Sequence, residues 1–137
     1  MHFGKLKNDI LGKDYSLSIA FVPENKSREI NKKYRKKDKA TNVLSFSLRK
    51  NEGELILCKP VIKREAKNSG KNWQRWLHFL VIHGMLHLKG MKHSSTMEKA
   101  ENFYLQRYDK KYFGGDRHRV QNDKNRNGRI RKGRKKS

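Results

Sequence analysis

Hydrophobic and polar positions alternate from Tyr15 to Val22, placing Leu17, Ile19 and Phe21 on one face. That period of two predicts a half-buried strand, stopped by Pro23. From Glu24 to Tyr34 the pattern changes: Ile30 and Tyr34 stand four apart among polar residues, which predicts a short helix with one apolar stripe. A loop follows from Arg35 to Asn42. Val43 to Leu48 and Glu54 to Cys58 are β-rich runs separated by Arg49 to Gly53, where Asn51 and Gly53 supply turn chemistry. They pair as a hairpin or lie apart in one sheet. Pro60 suits the first turn of a further helix, which reaches Lys67 before the Asn68-Ser69-Gly70 break.

The second half is helical in pattern. Trp73, Trp76, Leu77, Leu80, Val81, Gly84 and Leu88 recur at spacings of three and four, which predicts a buried central helix from Trp73 to Leu88. On the same spacing Trp73, Trp76, Phe79 and Phe103 are expected in the core rather than stacking on nucleic-acid bases. Gly90 is placed to end the central helix in a left-handed conformation. Ser95 with Glu98 forms a capping-box pattern and opens a last amphipathic helix carrying Met97, Ala100, Tyr104 and Tyr108.

Past Phe113 the composition shifts to Gly, Asn, Arg and Lys. Residues 114–137 hold ten Lys or Arg against two Asp, a net of +8. The sequence therefore divides into a folded domain at 1–113 and a basic tail at 114–137, which cannot bury a core and is expected to be disordered when free. Over the whole chain 35 Lys and Arg face 13 Asp and Glu, a formal +22. Such an excess selects polyanionic partners. Nucleic acid is favoured over a membrane surface, because the basic run Lys32, Lys33, Arg35, Lys36, Lys37 leads into polar loop and not onto a strong apolar helical face. Cys58 is the only cysteine, which excludes an internal disulfide. The charged start has no apolar run behind it, and no stretch approaches the roughly 20 apolar residues that span a bilayer, so a cytoplasmic protein is expected.

His83 and His87 are four apart, one above the other on the same helical face. Gly90 lets the chain turn, and His93 can then return as a third ligand, giving H-x3-H-x5-H. Three imidazoles without thiolate or carboxylate suit Zn2+, although nickel, cobalt or copper would accept the same set. Structural zinc sites close with four protein ligands, often thiolates, and only one thiol exists here. The expected site is therefore catalytic, with an open coordination position. The spacing resembles the zinc-protease pattern H-E-x-x-H-x-x-G-x-x-H, but Gly84 stands where the general-base Glu would be. That departure weakens a metalloprotease reading. His78, five residues before His83, falls about 140° away around the helix and is expected to be partly exposed.

With these residues in view the chain resembles the YbeY family of bacterial rRNA maturation factors, which are single-domain metal-dependent endoribonucleases. His83-Gly84-Met85-Leu86-His87-Leu88-Lys89-Gly90-Met91-Lys92-His93 resembles the signature H-G-x-L-H-L-x-G-x-x-H. Asn31-Lys32-Lys33-Tyr34-Arg35 and Thr41-Asn42-Val43-Leu44-Ser45-Phe46 resemble the N-x-x-Y-R and T-D-V-L-S-F segments, and Glu54 to Cys58 resembles an acidic-then-apolar strand. The likeness covers residues 15 to 108. Lys92 and Asn42 replace the usual Asp, and Ala40 and Ser47 stand where Pro is frequent; Lys92 removes one possible acceptor behind a ligand histidine.

The resemblance implies a single α+β domain, a small mixed β-sheet packed with a central metal-bearing helix and several further helices. It implies a single-strand-specific endoribonuclease acting in 16S rRNA 3′-end maturation and ribosome quality control. Arg35 is then the catalytic arginine, suited to bidentate grip on phosphate. The expected partners are single-stranded RNA, rRNA and the small ribosomal subunit, with neither a membrane nor a nucleotide cofactor. Lys32, Lys33, Lys36 and Lys37, with the tail, are expected to contact RNA. The sequence does not identify a general base: Glu54 at the end of a strand is a candidate, and a structural role fits it equally well. The alternative from another class is a non-catalytic RNA-binding assembly factor whose metal is structural.

Overall fold

The computed structural model describes residues 3–112. The chain divides into two units, one ending at Tyr104 and one beginning at Leu105, whose described part is the end of the last helix. The tail expected at 114–137 lies outside the described residues.

Helix α1 (Gly4–Leu11) leads to strand β1 (Ser16–Phe21), α2 (Glu24–Arg35), β2 (Val43–Arg49), β3 (Glu52–Leu57), α3 (Lys59–Asn68), α4 (Trp73–Leu88) and α5 (Ser95–Tyr112). The sheet order is β1-β3-β2, with β1 parallel and β2 antiparallel to β3. The expected α+β fold with a small mixed sheet is therefore observed. The open question at Arg49 to Gly53 is settled as a hairpin, with an irregularity in the register between Ser47 and Arg49. β3 is central because it carries the sheet's most apolar alternation: Gly53, Leu55 and Leu57 are buried, with Glu52, Glu54 and Ile56 on the other face.

α4 crosses the buried face of this sheet. A Cβ on Gly84 would lie 2.7 Å from Leu55 Cδ2 and 3.6 Å from Val43 Cγ2, so the absence of a side chain permits the close approach. The position that holds the general base in zinc proteases thus points at the sheet here.

Four sequence expectations change. α1 was not foreseen; its Leu6 and Ile10 are one turn apart and fully buried, and the helix lies against α4. For that reason His78 is not partly exposed but buried, at 2%. The Phe3 ring just before α1 packs edge-on to it at 5.2 Å, and its Nδ1 lies 3.2 Å from the Gln74 carbonyl. The stripe expected on α2 is also not its buried face. Tyr34 is 58% exposed, whereas Ser27 and Asn31 are buried. Ser27 Oγ donates to the Thr41 carbonyl and accepts from the Thr41 amide, and Asn31 Nδ2 donates to the Lys39 carbonyl, lacing loop 36–42 to the helix. Last, the cap of α5 is Ser94 and not Ser95: Ser94 Oγ accepts from the Met97 amide at 3.2 Å. Among the described residues no helix is long and apolar enough to cross a membrane.

Candidate metal centre

Asn72 starts α4 by accepting the amides of Gln74 and Arg75 on its side-chain oxygen, both at 3.0 Å. Sixteen residues later the helix ends in a Schellman turn. The Met91 amide donates to the Leu86 carbonyl and the Gly90 amide to the His87 carbonyl, each at 3.0 Å, with Gly90 at φ 106°. The chain reverses there, so a residue three beyond Gly90 comes back to the helix face it has just left.

Three imidazoles meet at that point. Their ring centroids lie 4.6 Å (His83 to His87), 4.7 Å (His87 to His93) and 5.1 Å (His83 to His93) apart, and one ligand nitrogen from each falls within 4.8 Å of the others. The Nε2 atoms of His83 and His87 are 3.2 Å apart. Two metal–nitrogen bonds of about 2.0–2.1 Å at a tetrahedral angle put their nitrogens roughly 3.3 Å apart, so the pair already has the span of two ligands to one ion. The residues fit a metal.

Behind the rings stand two acceptors. His83 Nδ1 is 2.5 Å from Glu101 Oε2, and His87 Nδ1 is 3.1 Å from the Met91 carbonyl. Each acceptor accepts a hydrogen bond from Nδ1–H, which keeps the proton on Nδ1 and leaves the Nε2 lone pair facing the cluster. Burial, reinforced by His83 and His93 nearby, lowers the pKa of His87 below its usual value. The ring is therefore held in the neutral form that binds metal. His93 is exposed, so the cluster opens to solvent on one side.

Glu101 was missed in the sequence, where Lys92 drew attention as a lost acceptor. A signal existed: Glu101 falls four after Met97 and three before Tyr104, an acid set into an apolar stripe, and it is 7% exposed.

Arg35 is not part of the histidine cluster. Its Nη2 donates to the Ser45 carbonyl of β2 at 2.9 Å, and its guanidinium carbon lies 5.3 Å from the centre of the Phe46 ring, so the plane is oriented while the side chain stays exposed. Lys32, Lys33, Lys36 and Lys37 are exposed at the end of α2 and just beyond it. Lys32 approaches Asp38 at 4.0 Å, and Lys36 closes the helix in a left-handed conformation. Glu54 pairs with Phe46 in the sheet and lies on the face opposite Leu55, the residue that meets α4.

A family profile described as Endoribonuclease YbeY matches residues 3–111. The endoribonuclease YbeY of Staphylococcus carnosus (strain TM300) is 36% identical over 113 residues, covering 74% of either chain. That of Staphylococcus aureus (strain JH9) is 36% identical over 117 residues, covering 75% of either chain. The solution structure of TM1509 from Thermotoga maritima superposes with a TM-score of 0.64 at 26% identity, covering 82% of this chain and 85% of that one. With the histidine cluster and the mixed sheet in place, these likenesses show that the chain belongs to the YbeY endoribonuclease family.

Proposed function

We propose that His83, His87 and His93 hold one zinc ion and that Arg35 serves the same reaction, the cleavage of single-stranded RNA in 16S rRNA 3′-end maturation and ribosome quality control. Family membership makes the chain a hydrolytic endoribonuclease of rRNA processing. The observation that carries the site assignment is the convergence of three imidazoles, two of which, His83 and His87, have their outer nitrogens held by Glu101 and the Met91 carbonyl.

When bound, such an ion supplies Lewis-acid polarisation of a phosphoryl oxygen or a bound water of lowered pKa. The chain does the rest. Glu101 and Met91 fix tautomer and ring direction, and the turn at Gly90 brings His93 to the open side. Arg35, over the Phe46 ring and anchored at Ser45, offers a planar cation to the charge that grows on the phosphoryl oxygens. Lys32, Lys33, Lys36, Lys37 and the basic segment 114–137 supply salt-sensitive affinity for the RNA of the small ribosomal subunit in the cytoplasm.

The test is cleavage of a defined single-stranded RNA by the pure chain beside His87→Ala and Arg35→Ala. Loss of activity in both, with metal content lost only in His87→Ala, is expected. Equal cleavage by all three would assign the activity to a contaminant, and a metal-loaded chain that binds RNA without cutting it would favour the assembly-factor alternative.

A further inference from the structure

Trp73, Trp76 and Phe79 lie on one arc of α4 that runs on into His83 and His87. Steps of three and four residues keep these five side chains within about 120° of the helix circumference. The rings were expected in the core, yet all three are partly exposed, because Leu77, Leu80, Val81 and Gly84 take the core-facing arc; Phe103, on α5, is 57% exposed. Trp76 and Phe79 stack at 5.1 Å with 7° between their planes, and Phe79 continues to the His83 ring at 6.0 Å and 26°. Ammonium groups cover the far end. Lys63 and Lys59 lie 4.7 and 5.6 Å from the Trp73 centroid, and Lys71 lies 4.2 Å from that of Trp76.

Flat π faces interleaved with mobile cations are what an unpaired strand requires, since its bases can stack while its phosphates take the ammonium groups. A duplex hides its base faces. An apolar protein surface would strip three ammonium groups of water without repayment in charge. From Trp73 to His83 the helix rises about 15 Å at roughly 1.5 Å per residue, room for a strand of several nucleotides.

We propose that this stripe is a track for single-stranded RNA. Bases stack on Trp73 and Trp76, Phe79 props the Trp76 ring from the histidine side, phosphates displace Lys59, Lys63 and Lys71 from the rings, and the strand is delivered to the histidine end of α4. The identity of the ligand rests on the endoribonuclease reading.

Both tryptophans of the chain lie in the track, so intrinsic fluorescence reports it directly. The full chain is titrated with a single-stranded octanucleotide methylated on its 2′-hydroxyls to resist cleavage, and with an abasic strand of equal length. Binding is followed separately by polarisation of labelled strands. The expected result is strong quenching by the first strand and salt-sensitive binding without quenching by the second. Trp73→Leu and Trp76→Leu should each weaken binding of the first strand at least fivefold, the order of one lost base stack. Lys59→Gln with Lys63→Gln, both on the surface, should lower the slope of log affinity against log salt by about 1.4, since each phosphate contact on a single strand contributes about 0.7. Saturation without quenching, or an unchanged slope and unchanged affinities, would overturn the track. A parallel assay on unmodified RNA separates the two readings: cleavage with unquenched tryptophans removes the track alone, and quenching without cleavage removes the nuclease reading alone.

Discussion

His83 Nδ1 and Glu101 Oε2, eighteen residues apart in the chain, meet at 2.5 Å inside a nearly closed contact between α4 and α5. The carboxylate supplies what Lys92, five residues before the buried Met97 of α5, does not: an acceptor that fixes a ligand ring from behind. Glu101→Gln keeps an acceptor and removes the charge, and it is expected to weaken metal affinity about 10- to 100-fold. Competition with a chromophoric chelator measures this. Unchanged affinity would show that the pair is structural only.

Gly84 is where α4 nears the sheet. Gly84→Ala forces its new methyl against Leu55 Cδ2, and the chain is expected to lose about 1–3 kcal/mol in a urea titration. Gly84→Glu, which restores the zinc-protease pattern, should damage the fold and confer no peptide hydrolysis, because its carboxylate would be driven into apolar packing. Peptidase activity in that variant would contradict the placement of position 84.

Acid should release the metal. The pKa of His87 is lowered first by burial and then by His83 and His93. In the unfolded chain the ring takes its proton near the ordinary value of 6.5, whereas the folded site resists it. Its contribution to stability is therefore complete above that value and is lost as pH falls through the lower folded value. Metal competes with the same protons, so both metal affinity and thermal midpoint are expected to drop on acidification below about 6.5. A thermal midpoint and a metal affinity that stay flat from pH 7.5 to 5 would contradict the assignment.

Lys36 holds φ at 61°, a conformation that favours glycine at a helix end. Lys36→Gly is expected to stabilise the chain by up to about 1 kcal/mol. The same change removes one positive charge, so its RNA affinity should become less salt-dependent by about one unit of slope. Chemical denaturation and a salt series on one preparation read both effects.

Much of this arrangement was legible in the sequence because it is local. His83, His87 and Gly90 are set by the 3.6-residue period and one left-handed turn, and α4 runs from Trp73 to Leu88 as its apolar spacing predicts. What escaped depends on distant partners. Glu101 gains meaning only when α5 meets α4, and His78 is buried only because α1 covers it. The buried face of α2 is polar, Ser27 and Asn31, since its partner is loop backbone and not a core; hydrophobic periodicity carries no trace of that. Trp73, Trp76 and Phe79 have core spacing, yet they sit at the margin of the arc that the sheet fills.

A working metal centre at His83, His87 and His93, as opposed to a structural clasp, must couple RNA cleavage to metal occupancy. It is tested most directly by titrating zinc into metal-depleted protein while cleavage of a defined single-stranded RNA is followed. One ion per chain is expected, with activity rising in proportion to occupancy and absent in a folded His93→Ala variant. Cleavage that is already complete before metal is added, or that ignores occupancy, would contradict it.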